Sequence, residues 1–109
     1  MEAKELFTLF DHLIYSPKLE KEYVKAGFPN GSFRGVYALF NSENKALFVG
    51  SSVDLRNRIL VHRRQPEIQE YLEEVVFIGI KHLEGDLLAH KKGYVRKLEP
   101  TLNIYHYYT

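Results

Sequence analysis

Three side chains in the middle of the chain, Tyr37, Arg58 and His62, are of types that can act on a phosphodiester. In-line attack on phosphorus needs a deprotonated nucleophile and positive charge beside the equatorial oxygens. A guanidinium suits bidentate contact with phosphate, and residues four apart share one face of a helix, which places Arg58 beside His62. Because a tyrosine pKa near 10 makes a poor base, Tyr37 would need a cation close to it.

Each of these residues also has an ordinary structural explanation. Tyr37 can be a half-buried aromatic residue of a strand, and His62 a helix histidine bonded to a neighbour. Arg58 can form a surface ion pair with Asp54, four residues earlier. Taken singly, Tyr37 and His62 fit the structural explanation better, whereas the pattern around Arg58 favours phosphate contact.

The hydrophobic pattern predicts the elements that position these side chains. Residues 35–40 and 46–49 read as two strands, and the turn-forming residues 41–44 between them make the pair a hairpin. Gly50 ends the second strand. Ser52 or Asp54 then caps a helix that carries Arg58 and His62.

The remaining segments complete a single domain, since 109 residues suffice for one core. Apolar residues at helical spacing predict an opening helix over 6–14, followed by a short helix over 18–25 and a turn-rich segment over 27–32. A third strand is expected over 75–80 and a last helix over 86–98. We therefore predict a helical extension over residues 1–34 packed on a domain over residues 35–109.

An ordered set of motifs runs through this domain. It consists of Gly35-Val36-Tyr37, Phe48-Val49-Gly50, Ser52, Leu55, Arg58, His62 and the closing Pro100-Thr101-Leu102-Asn103. The set resembles the core of the GIY-YIG nuclease family. The resemblance implies a small α/β (α+β) sandwich, in which helices flank a three-stranded antiparallel sheet.

The same resemblance implies cleavage of a phosphodiester in DNA. In the family one divalent cation, Mg²⁺ or Mn²⁺, is held by a glutamate and helps to activate water, while the first tyrosine assists that water and the arginine neutralises phosphate charge. Tyr37 and Arg58 match those two positions, and His62 and Phe48 match further motif positions. Asn103 either orients the final segment or is a satisfied turn asparagine.

Two departures from the family pattern bear on activity. Lys91 stands where the resemblance places the metal-binding glutamate, and an ammonium group cannot ligate a hard cation. Phe48 stands where the family usually carries a second tyrosine, and it has no hydroxyl. We therefore predict no metal ligand set. Asp86 and Glu84 are the alternatives, although neither matches the register of Lys91 on the last helix.

The positive charges predict contact with nucleic acid, although the net charge is only +1. The predicted binding residues are Arg56, Arg58, Arg63, Arg64, Lys91 and Lys92. The alternative is that each cluster is the solvated face of a helix. The aromatic tail over residues 105–108 can pack on the core, stack on bases or form a contact with a protein partner or a second copy.

The sequence thus favours a GIY-YIG-like domain that binds nucleic acid, DNA in the first place, and whose ordinary metal-dependent nuclease activity is lost or altered. An active Mg²⁺- or Mn²⁺-dependent endonuclease and a protein-interaction module are the alternatives. The absence of cysteine excludes disulfides, zinc knuckles and thiol catalysis. With no long apolar segment and a charged start, the chain is expected in the cytoplasm and not in a membrane.

Overall fold

The fold is built around one antiparallel sheet. The computed structural model describes residues 2–28 and 33–101 of the chain. Its elements are α1 (Ala3–Leu9), β1 (His12–Tyr15), a 3₁₀ turn (Pro17–Leu19), α2 (Lys21–Gly27), β2 (Gly35–Phe40), β3 (Ala46–Ser52), α3 (Leu55–His62), α4 (Pro66–Leu72), β4 (Phe77–His82) and α5 (Leu87–Leu98). The strand order is β1-β4-β2-β3, with every neighbouring pair antiparallel.

Strand β2 lies inside the sheet, because it pairs with both β3 and β4. All six of its residues are buried, as a short, continuous apolar run predicts. Successive side chains point to opposite faces of a strand. Tyr37 and Leu39 therefore join one core with α3, and Val36, Ala38 and Phe40 join a second core. The second core includes residues of α1 and α5, so helices cover both faces of the sheet.

The sheet has four strands where the sequence predicts three. The opening helix was expected over residues 6–14, but α1 ends at Leu9 and residues 12–15 form β1, which pairs with β4. The prediction from helical spacing was wrong here because Phe10 packs against the sheet. Its ring lies over Gly79 of β4, where an added Cβ would lie 2.8 Å from that ring. This close approach directs the following residues along the sheet edge. The division of the chain after residue 34 stays a prediction.

Two smaller differences concern the region between α3 and α5. Helix α4, Pro66–Leu72, was not predicted, although proline at its start and the buried Ile68 are typical of a short helix. The strand predicted as the third, over residues 75–80, is β4, and it begins at Phe77 and reaches His82, two residues later than expected at each end. Its end is held by Asp11, whose Oδ2 accepts a hydrogen bond from the His82 backbone N–H at 2.8 Å.

In the described part of the chain, no helix has both the length and the apolar character needed to cross a bilayer.

Candidate active site

Tyr37 occupies the centre of the site, on the inner strand β2. Its side chain is fully buried. Its partner across the sheet is Gly50 of β3, and a Cβ added at Gly50 would lie 2.5 Å from the tyrosine ring. The ring therefore lies directly against the Gly50 backbone. The sequence predicted Gly50 as the end of a strand and as a motif position, but a glycine within a strand also signals a close approach of this kind.

Helix α3 brings Arg58 and His62 to the tyrosine. The helix is fixed at its start by Asp54, whose carboxylate accepts a hydrogen bond from the Asn57 N–H at 3.3 Å. About two turns later His62 is buried, and its Nδ1 lies 2.7 Å from the Tyr37 hydroxyl. The shared helical face predicted from the spacing of Arg58 and His62 thus meets Tyr37 in the structure.

Arg58 also reaches Tyr37, although the arginine is exposed to solvent. Burial raises the pKa of the tyrosine well above its usual value of 10.0, and the nearby guanidinium of Arg58 offsets only part of that rise. The phenol is therefore held protonated at neutral pH. Both the burial and the pKa make Tyr37 a poor base in this conformation.

Phe48 fills the position of the second motif tyrosine. Its ring centroid lies 4.2 Å from that of His62 and 6.0 Å from that of Tyr37. The phenyl ring therefore packs the interior of the site but offers no hydrogen bond. It helps to hold the imidazole in place and can do no chemistry itself.

Lys91 approaches the site from α5, which packs beside the edge strand β3. The side chain is half-buried. Burial lowers the pKa of Lys91, and the nearby charge of Arg58 lowers it further. Arg58 thus influences both Lys91 and Tyr37 electrostatically, and the site presents two neighbouring cations at its solvent side.

These residues do not form a ligand set for Mg²⁺ or Mn²⁺. Such cations need carboxylate and other oxygen ligands, whereas Arg58, Lys91 and His62 offer a guanidinium, an ammonium and an imidazole. Asp86 uses its Oδ1 to cap α5, accepting hydrogen bonds from the N–H groups of Leu88 and Ala89 at 3.0 and 3.2 Å. Within the described ranges, no group of three or more His, Asp or Glu residues could hold a metal ion.

The other predicted binding residues lie apart from Tyr37. Arg56 is two positions before Arg58, about 200° around α3. Arg63 points towards the N-terminal segment, where its Nε donates to the Leu19 carbonyl at 2.8 Å. Arg64 is exposed at the end of α3, and Lys92 is half-buried on α5. Asn103 and the aromatic tail lie outside the described residues.

Comparison with known proteins agrees with this geometry. The model of the GIY-YIG catalytic domain matches residues 33–87, about half of the chain. The chain belongs to the GIY-YIG family. The match includes Tyr37, Phe48, Arg58 and His62, and it ends four residues before Lys91. The family that the motifs predict is therefore confirmed, together with a mixed fold of helices on an antiparallel sheet.

Curated relatives carry the name UvrABC system protein C. The protein from Campylobacter jejuni strain 81-176 is 32% identical over 89 residues, which cover 70% of this chain. The protein from Campylobacter jejuni subsp. doylei is 31% identical over 100 residues and covers 80%, and that from Colwellia psychrerythraea is 25% identical and covers 64%. The chain spans only 12 to 16% of the length of these relatives.

Proposed function

We propose that this GIY-YIG domain binds DNA and holds a phosphodiester through Arg58 and Lys91, without ordinary metal-dependent cleavage. The observation that carries the proposal is the packing of α5 against β3, which brings Lys91 near enough to Arg58 for the charge of the arginine to lower the pKa of the lysine. Lys91 stands where the family resemblance expects a metal-binding glutamate. Two cations supply attraction for a phosphate group. They do not supply activation of a water molecule.

The state of Tyr37 supports the same proposal. A tyrosine that assists an attacking water must contact that water and give up its proton. Here the side chain is fully buried and its pKa is raised, mainly by burial. Arg58 and Lys91 therefore make the solvent-facing part of the site cationic, whereas Tyr37, which would assist the attacking water, is enclosed. A cytoplasmic location stays a prediction.

The first experiment is nicking of supercoiled plasmid in Mg²⁺ or Mn²⁺. We expect no cutting by the unmodified protein. We expect Lys91→Glu to show some metal-dependent cutting, because it places a carboxylate where the family carries its metal-binding glutamate. Tyr37→Phe in the Lys91→Glu background is the matched control and should abolish the restored cutting. Cutting by the unmodified protein that Tyr37→Phe removes would overturn the proposal.

The second experiment measures binding directly. Fluorescence anisotropy with a labelled DNA duplex at low salt should show Arg58→Gln and Lys91→Gln each weakening the affinity by roughly tenfold, the effect of removing one charge-assisted hydrogen bond. Lys97→Gln is the control, since this exposed residue lies six positions further along α5 and on another face. Equal affinities for all four proteins would contradict the proposal.

An active endonuclease is the second candidate, and one observation favours it. His62 lies 2.7 Å from the Tyr37 hydroxyl, so it can take the phenolic proton if the site opens to admit a water molecule. In this case metal-dependent nicking by the unmodified protein would be lost in both Tyr37→Phe and His62→Gln. The search for the ligand would then turn to Glu84 and Asp86.

A further inference from the structure

We propose that the groove between α2 and α3 is a second contact for the phosphate backbone of bound DNA. This inference rests on the proposed function and extends it, because it assigns a role to lysines of the N-terminal segment that the family motifs do not include. The groove has a volume of about 220 Å³. Four cations line it, Lys21, Lys25, Arg63 and Arg64.

The four cations lie close together because α2 and α3 each place residues at helical spacing on the side that lines the groove. Lys21 and Lys25 are one turn apart on α2, so they share a face. On the facing side, Asn57, Val61 and Arg64 recur at spacings of four and three along α3 and just beyond its end. The wall contributed by α3 thus combines an amide, an aliphatic surface and a guanidinium.

One side of the groove is held in place by a hydrogen bond between Arg63 and the turn that precedes α2. The Nε atom of Arg63 donates to the Leu19 carbonyl at 2.8 Å, and this bond joins the end of α3 to the turn that precedes α2. The guanidinium is therefore held in one orientation at the groove. Rigid placement of a cation lowers the entropic cost of contacting a phosphate.

Lys21, Lys25 and Arg64 form no ion pair with any of the described residues. Lys21 is also the first residue of α2, where a positive charge opposes the helix dipole, and Glu20 provides no side-chain cap there. The position of Lys21 therefore does not favour helix stability, and a ligand for its charge explains it better.

The groove and the active site lie on adjacent faces of one helix. Asn57 lines the groove and Arg58 contacts Tyr37, and consecutive residues are turned by about 100° around a helix. A DNA strand that crosses α3 can therefore meet Arg58 on one side and the groove on the other. This arrangement extends the phosphate-binding surface from the site to the N-terminal segment.

The test is the salt dependence of binding to a fluorescein-labelled DNA duplex, measured by anisotropy at several KCl concentrations. The variants are Lys21→Ala/Lys25→Ala and Arg64→Ala, which spare the structural bond of Arg63. We expect the slope of log affinity against log salt to fall by about one for each phosphate group that the variant no longer neutralises. Lys4→Ala/Lys45→Ala is the charge-matched control, because both lysines are exposed outside the groove.

The outcomes separate this inference from the proposed function. If Arg58→Gln weakens binding but the groove variants keep the slope and affinity of the control, the groove proposal is overturned and the proposed function stands. If the groove variants alone weaken binding, the groove is confirmed and the role proposed for Arg58 and Lys91 fails. If the unmodified protein binds no duplex at low salt, both fail. Thermal melting of each variant checks that it is folded.

Discussion

The hydroxyl of Tyr37 lies 2.7 Å from Nδ1 of His62, and both side chains are buried. Arg58 lies close enough to this pair for its charge to oppose the rise that burial causes in the pKa of Tyr37. A buried phenol–imidazole pair thus lies beside a solvent-exposed arginine.

Removing the Tyr37 hydroxyl should change how stability depends on pH. Because burial holds the folded-state pKa of Tyr37 well above 10, the unfolded chain loses this proton first as the pH rises. The contribution of Tyr37 is therefore complete below pH 10 and declines above it, by up to about 1.4 kcal/mol per pH unit. Urea titrations at about pH 9 and about pH 11 should show a smaller decline in Tyr37→Phe than in the unmodified protein, with the remainder due to Tyr94, whose pKa is also raised by burial.

The control for this experiment is Tyr15→Phe, which changes a tyrosine whose side chain is 62% exposed. It should keep the pH dependence of the unmodified protein. Near neutral pH, Tyr37→Phe should also lower the free energy of unfolding by about 1 to 3 kcal/mol, because His62 loses a buried hydrogen-bond partner. Parallel pH profiles for all three proteins would show that Tyr37 is not buried in solution.

A methyl group at position 50 should displace the Tyr37 ring or the backbone of β3. In Gly50→Ala the new Cβ would lie 2.5 Å from the Tyr37 ring, so the ring or the strand must move. We expect a loss of about 1 to 3 kcal/mol in the free energy of unfolding, as for other overpacked cores. Gly93→Ala is the control, because nothing lies within 4 Å of its Cβ on α5, and it should stabilise the helix by up to about 1 kcal/mol.

Asp86 should act as a helix cap and not as a metal ligand. Asp86→Ala removes the acceptor for two N–H groups at the start of α5 and should cost about 1 kcal/mol in the free energy of unfolding. Asp86→Asn keeps an acceptor oxygen and should be close to neutral. The contrary result is a large effect of Asp86→Asn on Mg²⁺-dependent nicking with no change in stability, which would make this carboxylate a ligand.

The charge of Lys91 should cost stability near neutral pH. Burial and the charge of Arg58 lower the folded-state pKa of Lys91, so the unfolded chain keeps this proton to a higher pH. The cost is present below the folded-state pKa and disappears as the pH rises towards the value of the unfolded chain. Lys91→Met should therefore raise the free energy of unfolding at pH 7 by about 0.5 kcal/mol, allowing for solvent screening.

Lys97→Met, at an exposed position of the same helix, should leave stability nearly unchanged. Chemical unfolding at pH 7 distinguishes the two variants. A loss of stability in Lys91→Met comparable to that in a buried core substitution would mean that Lys91 stabilises the fold and does not face a phosphate site.

The sequence by itself determined the family, the hairpin of β2 and β3, and the shared face of Arg58 and His62, and it narrowed the cap of α3 to Ser52 or Asp54. These features depend on local rules, namely strand alternation, turn chemistry, capping and helical periodicity, so neighbouring residues suffice to predict them. The last helix was predicted to begin near Asp86 for the same reason, and it does.

Only the tertiary structure decided the fourth strand and the enclosure of Tyr37. Strand β1 follows a helical pattern in the sequence, but the hydrogen-bonding edge of β4, far along the chain, makes it a strand. One interpretation of Tyr37 was a half-buried strand aromatic, and the glycine backbone opposite it allows full burial. Such contacts join residues distant in sequence, and local periodicity carries no information about them.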